Sequence, residues 1–145
     1  MFLRDATKED EDLLYKWRNE KACVENSISK KRVTINEHSK WFDNTLKDNN
    51  KYIFLLENNG EPVGMIRGEK SKNVITLSYS IEEKSRGKGL GKSIIMLFEE
   101  KVAIYGVENI LGYVLKENAA SCKIFESLKY NKEDIGDLYR YEKNI

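Results

Sequence analysis

Ser85-Arg86-Gly87-Lys88-Gly89-Leu90-Gly91-Lys92 joins a β-rich segment to a long amphipathic one, and its reading decides the fold. Before it, Ile75, Leu77, Tyr79 and Ile81 alternate with polar or small residues across Val74 to Ile81, the pattern of a half-buried strand. After it, Leu90, Ile94, Leu97 or Phe98, and Val102 recur at helical spacing, which predicts a helix from about Gly89 to Tyr105. Gly106 is placed to end that helix in a left-handed cap. Glycines at 87, 89 and 91 let the backbone approach a ligand without obstruction by Cβ atoms. Free amides at a helix N-terminus favour an anion such as a pyrophosphate, and Arg86, Lys88 and Lys92 add positive charge there.

Spacing narrows the phosphate ligand. A P-loop needs glycine five residues before its Gly-Lys-Ser ending, and Arg86 stands there instead. The dinucleotide pattern starting at Gly87 and Gly89 needs a third glycine where Lys92 stands. The pattern that fits is Arg/Gln-x-x-Gly-x-Gly, through Arg86, Gly89 and Gly91.

Upstream of the loop, Tyr52 to Glu57 and Val63 to Gly68 read as strands joined at Asn58-Asn59-Gly60. With Val74 to Ile81, which follows the turn Ser71-Lys72-Asn73, they make an antiparallel meander. Phe2 to Ala6 is a first strand, and Thr7 caps a helix carrying Glu9 and Asp10 in its first turn and Leu13, Leu14 and Trp17 on one face. Asn19 to Thr34 is polar; helical spacing resumes from Asn36 to Leu46 through His38, Trp41, Phe42 and Thr45. Downstream come a strand at Asn109 to Leu115, a helix at Ala119 to Leu128 and a hairpin at Tyr130 to Glu142 around Gly136. This order predicts a mixed α/β layer architecture of about seven strands and four helices.

No repeat or linker divides the chain, so one domain over residues 1–145 is expected. With 25 basic and 24 acidic side chains, no broad basic face is expected, which argues against nucleic acid as partner. Two separated cysteines and one histidine make a zinc site improbable and fit a reducing cytoplasm. Apolar runs such as Ile94 to Phe98 are far too short to span a bilayer, and the first residues lack a signal-peptide core. No membrane partner is therefore expected. The closing hairpin leaves an edge through which two copies could pair, so a homodimer is among the expectations.

Beyond the glycine loop, Asn118-Ala119-Ala120-Ser121-Cys122-Lys123-Ile124-Phe125-Glu126-Ser127-Leu128-Lys129-Tyr130 carries a second motif. Loop and motif together resemble the GNAT superfamily of acyl-CoA-dependent N-acetyltransferases. That family has an asparagine, two small residues, an aromatic seven positions on, and Glu/Lys-x-Leu-Gly-Phe/Tyr. Asn118, Phe125, Leu128 and Tyr130 match, while Lys129 replaces the usual glycine. The resemblance implies a mostly antiparallel sheet whose fourth and fifth strands splay apart around the pantetheine of acetyl-CoA. It implies that backbone groups of Tyr79, Ser80 and Ile81 pair with the pantetheine and that a strand amide near Ile81 polarises the acetyl carbonyl. It implies further that amides from Gly87 through Lys92 hold the pyrophosphate, with Asn118 and Phe125 beside the cofactor.

The implied reaction is attack of an amine on the acetyl thioester, which needs a proton acceptor. The glutamate that serves in N-terminal acetyltransferases of this family aligns with Tyr113 here, and the usual tyrosine acid aligns with Phe125. His38 is the nominee for base, because imidazole titrates near neutrality; Glu82 and Glu69 are alternative carboxylates, and a water chain is another route.

Trp17-Arg18-Asn19-Glu20 and His38-Ser39-Lys40-Trp41-Phe42 resemble GNAT members that acetylate amino sugars linked to a nucleotide in surface-glycan pathways. On that resemblance Arg18 meets a phosphate, Trp17 or Trp41 stacks on a sugar or base, and Asn19 bonds hydroxyls. An enzyme acting on a peptide amine or an antibiotic, and a CoA-binding module without catalysis, remain the alternatives.

Overall fold

Alternating side chains build the centre of the molecule. The computed structural model describes all residues, Met1–Ile145. β1 (Phe2–Asp5) leads through a helical turn at Lys8–Asp10 to α1 (Glu11–Arg18), α2 (Lys21–Glu25) and α3 (Ile35–Lys47). The meander follows as β2 (Lys51–Asn58), β3 (Glu61–Ser71) and β4 (Val74–Ile81). After the glycine loop come α4 (Leu90–Ala103), β5 (Asn109–Leu115), α5 (Ala119–Ser127), β6 (Asn131–Asp134) and β7 (Leu138–Asn144).

The strands form one sheet of seven in the order β1-β2-β3-β4-β5-β7-β6, antiparallel throughout except for the parallel β4–β5 pair. Helices cover both faces. Ile53 and Leu55 of β2 pack with Leu14, Trp17 and Phe42 under α1 and α3. Phe54, Ile66 and Ile75 pack with Ile94, Phe98 and Phe125 under α4 and α5. The unbroken apolar run Ile53-Phe54-Leu55-Leu56 is thus buried on both sides of its strand.

The β4–β5 ladder stops at Leu77↔Gly112, while β4 continues to Ile81 and β5 to Leu115. Their last residues diverge, and a slot opens in mid-sheet. β7 closes against the whole outer edge of β5, from Asn109↔Asn144 to Leu115↔Leu138, so the slot has a rigid far wall.

Local details differ from the sequence expectation in three places. A fifth helix, α2, lies within the stretch read as polar; at five residues it is too short to show a period. The turn after Thr7 is fastened by the Asp10 carboxylate, which accepts the Thr7 amide at 2.8 Å and both Arg4 guanidinium branches at 2.9 Å. Finally, Lys129 adopts a left-handed φ of 67° at the end of α5. There the Tyr130 amide reaches back to the Phe125 carbonyl and the Lys129 amide to Glu126, the paired bonds that normally select glycine. The departure from the family glycine is therefore a change of side chain on an unchanged backbone.

Candidate active site

The slot between β4 and β5 opens into a cleft of about 940 Å³ that continues beneath α1, α2 and α3. One end is the glycine loop. Gly87 and Gly89 take φ of 78° each, and a Cβ at either would meet nothing within 4 Å, so the loop surface stands open. Gly91 is different: a Cβ there would come 2.8 Å from the Ile124 methyl, so its glycine lets α4 and α5 approach. The amides of Gly87 through Lys92 donate to no backbone acceptor, a row of free donors at the start of α4. Arg86 turns away from the loop: its Nε donates to the Ile81 carbonyl at 2.9 Å, and its fork lies 3.7 Å from Glu20.

The middle of the cleft is the strand pair itself. Period-two alternation points Tyr79 toward α5 and Ser78 and Ser80 toward α1 and α3. The Tyr79 hydroxyl sits 2.7 Å from the Ser121 hydroxyl, and burial pushes it above the usual phenol range, so it stays protonated. Asn118 lines the cleft and caps α5, its Oδ1 accepting the Ser121 amide at 3.3 Å.

The far end is roofed by helices. Trp17, Arg18, His38 and Trp41 all line it. Trp17 is also core, 2% exposed, so one indole serves packing and lining together. His38 is 4% exposed among Tyr15, Trp41 and Phe42, with Nδ1 buried and unpartnered. That burial lowers its pKa and holds the imidazole neutral near pH 7. Arg18 donates from Nη2 to the Lys31 carbonyl at 3.1 Å, and its Nη1 is buried without a partner.

Five nominated side chains are absent from the cleft lining. Asn19 spends both ends of its amide on Val33. Lys88, within the loop, and Lys92, in the first turn of α4, have exposed side chains. Tyr113 of β5 is 40% exposed and does not line the cleft. Phe125, 1% exposed, stacks on Tyr141 with ring centroids 5.0 Å apart and fills the space left by Gly112. Of the alternative carboxylates, Glu82 is buried and accepts the Ser85 hydroxyl at 2.7 Å, and Glu69 is exposed on β3.

Arg67 lines the cleft but was not singled out in the sequence. Its position on β3, one residue from Ile66 and two from Met65, places it by strand period on the α1–α3 face, opposite Ser78 in the ladder. The signal was an arginine set among the apolar residues of Val63 to Gly68.

A model of the GNAT acetyltransferase domain matches residues 1–131. The chain belongs to that family. Its donor is acetyl-CoA, and the cleft fits it on two counts: the row of free amides at the glycine loop and the unpaired strand ends of the slot. This GNAT acetyltransferase is 28% identical over 121 residues to the acetyltransferase PseH of Campylobacter jejuni, covering 79% of this chain and 72% of that one. Its fold matches the aminoglycoside acetyltransferase AAC(6')-Ib with coenzyme A and kanamycin at a TM-score of 0.86 and 18% identity, over 99% and 94% of the two chains. It also matches the spermidine N-acetyltransferase of Vibrio cholerae with CoA and spermine at 0.86 and 15% identity, over 98% and 94%. No helix of the GNAT domain is long and apolar enough to cross a membrane.

Proposed function

We propose that this N-acetyltransferase acetylates the amino group of a sugar linked to a nucleotide. The observation that carries the reading is the charge of the cleft. Arg18, Arg67 and Arg86 line it, and the one Asp or Glu among its lining residues is Glu37. Glu37 is already engaged, accepting the Thr34 amide at 3.0 Å in the cap of α3. Aminoglycosides and polyamines are polycations and call for carboxylates; a diphosphate calls for guanidinium groups. The likeness of the Trp17–Glu20 and His38–Phe42 runs to members acting on nucleotide sugars points the same way.

Acetyl-CoA supplies the acetyl group as an activated thioester. The amides of Gly87 to Lys92 hold its pyrophosphate, and the backbone of Tyr79, Ser80 and Ile81 lines its pantetheine arm beside Asn118. His38, neutral by burial, takes the proton that the attacking amine must lose. Trp41 offers an apolar face to the sugar or base.

The test is release of free thiol from acetyl-CoA with UDP- and dTDP-linked amino-deoxysugars, alongside N-terminal peptides, kanamycin and spermidine. Turnover on the nucleotide-linked sugars alone is the expected result. A preference for the peptide or for a polycation would reject the reading.

A further inference from the structure

Arg67 is a half-buried cation without a counterion. Its guanidinium forms no hydrogen bond or ion pair with the protein; its one recorded partner is the face of Trp41, 5.3 Å away. The acid that bears on it, Glu69, lies two residues along the same strand and is exposed. Arg18 approaches from the roof closely enough to oppose the Arg67 charge, and Arg18 Nη1 is itself buried and unpartnered. Cys23 of α2 lies among Arg18, Arg67 and Arg86. Two like charges lining one partly desolvated cleft, with free donors on both, make an incomplete arrangement. A bound anion would complete it by neutralising both and taking the unused N–H groups.

Position gives the anion its role. Arg67 sits directly across the ladder from Ser78, the residue at which β4 leaves β5. Met65 and Ser80 continue the same face toward the glycine loop. A group held by Arg67 is therefore beneath the helical roof and a few residues from the slot, on the acceptor side of the sheet. Trp41, stacked on the guanidinium, holds the fork in place while leaving its edge free to donate.

We infer that Arg67, with Arg18 opposite, binds an anionic group of the acceptor and selects anionic amines over polycationic ones. This rests on the assignment of the roofed end to the acceptor, but not on the acceptor being a nucleotide sugar. The recognised chemistry is an oxyanion, and a nucleoside diphosphate and a carboxylate are its two sources.

The experiment uses protein saturated with CoA, so that the glycine loop is filled. UDP, dTDP, inorganic pyrophosphate and L-glutamate are titrated calorimetrically into wild type, Arg67→Met and Arg67→Lys. Met keeps a long stem against Trp41 and removes the charge; Lys keeps the charge and loses the fork. UDP or dTDP is expected to bind wild type about tenfold to a hundredfold more tightly than Arg67→Met, with Arg67→Lys between them. CoA affinity, measured separately, is expected to be equal in all three and reports that the fold is intact. Cys23 supplies a second readout: the nucleotide should slow its alkylation in wild type and not in Arg67→Met, while buried Cys122 stays unlabelled. Binding of glutamate alone, dependent on Arg67, would uphold the anion site and reject the nucleotide-sugar reading. Affinities for every anion that are equal in wild type and Arg67→Met would overturn the inference, even if that variant is less stable. Spermidine or kanamycin protecting Cys23 where the anions do not would overturn it as well.

Discussion

Asn19 holds the peptide of Val33 from both sides: its Nδ2 donates to the Val33 carbonyl at 3.0 Å, and its Oδ1 accepts the Val33 amide at 2.9 Å. The side chain at the end of α1 thus pins the segment that leads into α3, across fourteen residues. Arg18 reinforces it at Lys31, and Lys30 pairs with Glu117 on the opposite lip of the cleft. The strap they hold is the outer wall of the acceptor end.

Replacing Asn19 by Ala removes two half-buried hydrogen bonds and is expected to cost about 1–3 kcal/mol of stability. The acceptor KM should rise several-fold while the affinity for CoA is unchanged. Chemical denaturation and steady-state kinetics check both; a parallel loss of CoA affinity would mean that Asn19 supports the whole cleft rather than the strap.

Gly112 to Ala tests the packing of Phe125. A Cβ there would lie 2.7 and 2.9 Å from two atoms of the Phe125 ring, which stacks on Tyr141 and meets Tyr130 edge-on at 5.0 Å. A ring wedged between two others cannot swing aside, so the expected destabilisation is about 1–3 kcal/mol. Adding Phe125→Leu should recover part of it, as read by the urea midpoint.

Lys129 to Gly should stabilise. A left-handed β-carbon costs about 1–2 kcal/mol, and the looser unfolded chain returns about 0.4–1 kcal/mol of that. A net gain of about 0.5–1 kcal/mol is expected in thermal unfolding, with acetyl transfer unchanged. An unchanged or lower melting temperature would contradict the reading of Lys129 as a strained helix terminus.

His38 makes stability depend on pH with a definite sign. Burial lowers its pKa from 6.5, so below that value the unfolded chain binds a proton that the folded one resists. Its contribution is full above pH 6.5 and is lost as the pH falls toward the folded pKa. Asp10, whose pKa is lowered from 3.8 chiefly by its hydrogen bonds to Arg4, acts only in stronger acid. His38→Gln should flatten the stability profile between about pH 5 and 6.5. If His38 is the base, the same variant should lower kcat and remove the acid limb of the rate profile; an unaltered rate profile would strike it from the chemistry.

The shape of the glycine loop was legible because it is local. Gly87, Gly89 and Gly91, the strand before them and the helix after them are adjacent in the chain, and backbone amides need no distant partner to bind a phosphate. The strand and helix order was legible for the same reason, since periods of two and 3.6 are properties of short windows. Lys129 marks the limit of that approach: the motif lost its glycine, but the backbone bonds from Lys129 and Tyr130 kept the shape.

Where the nominated side chains point was decided by the tertiary structure. Asn19 looked like a hydroxyl-binding amide until Val33, fourteen residues away, took both its ends. Phe125 and Tyr113 carried family positions, but Phe125 fell to the core and Tyr113 outside the cleft lining. Arg67 gave little signal because its meaning comes from three separate elements: Trp41 beneath α3, Arg18 at the end of α1 and Ser78 across the ladder. The sequence by itself determined the order of elements and the open glycine loop, which depend on neighbours along the chain. Only the fold decided the sign of charge at the roofed end of the cleft, because that depends on which side chains meet once the sheet is covered.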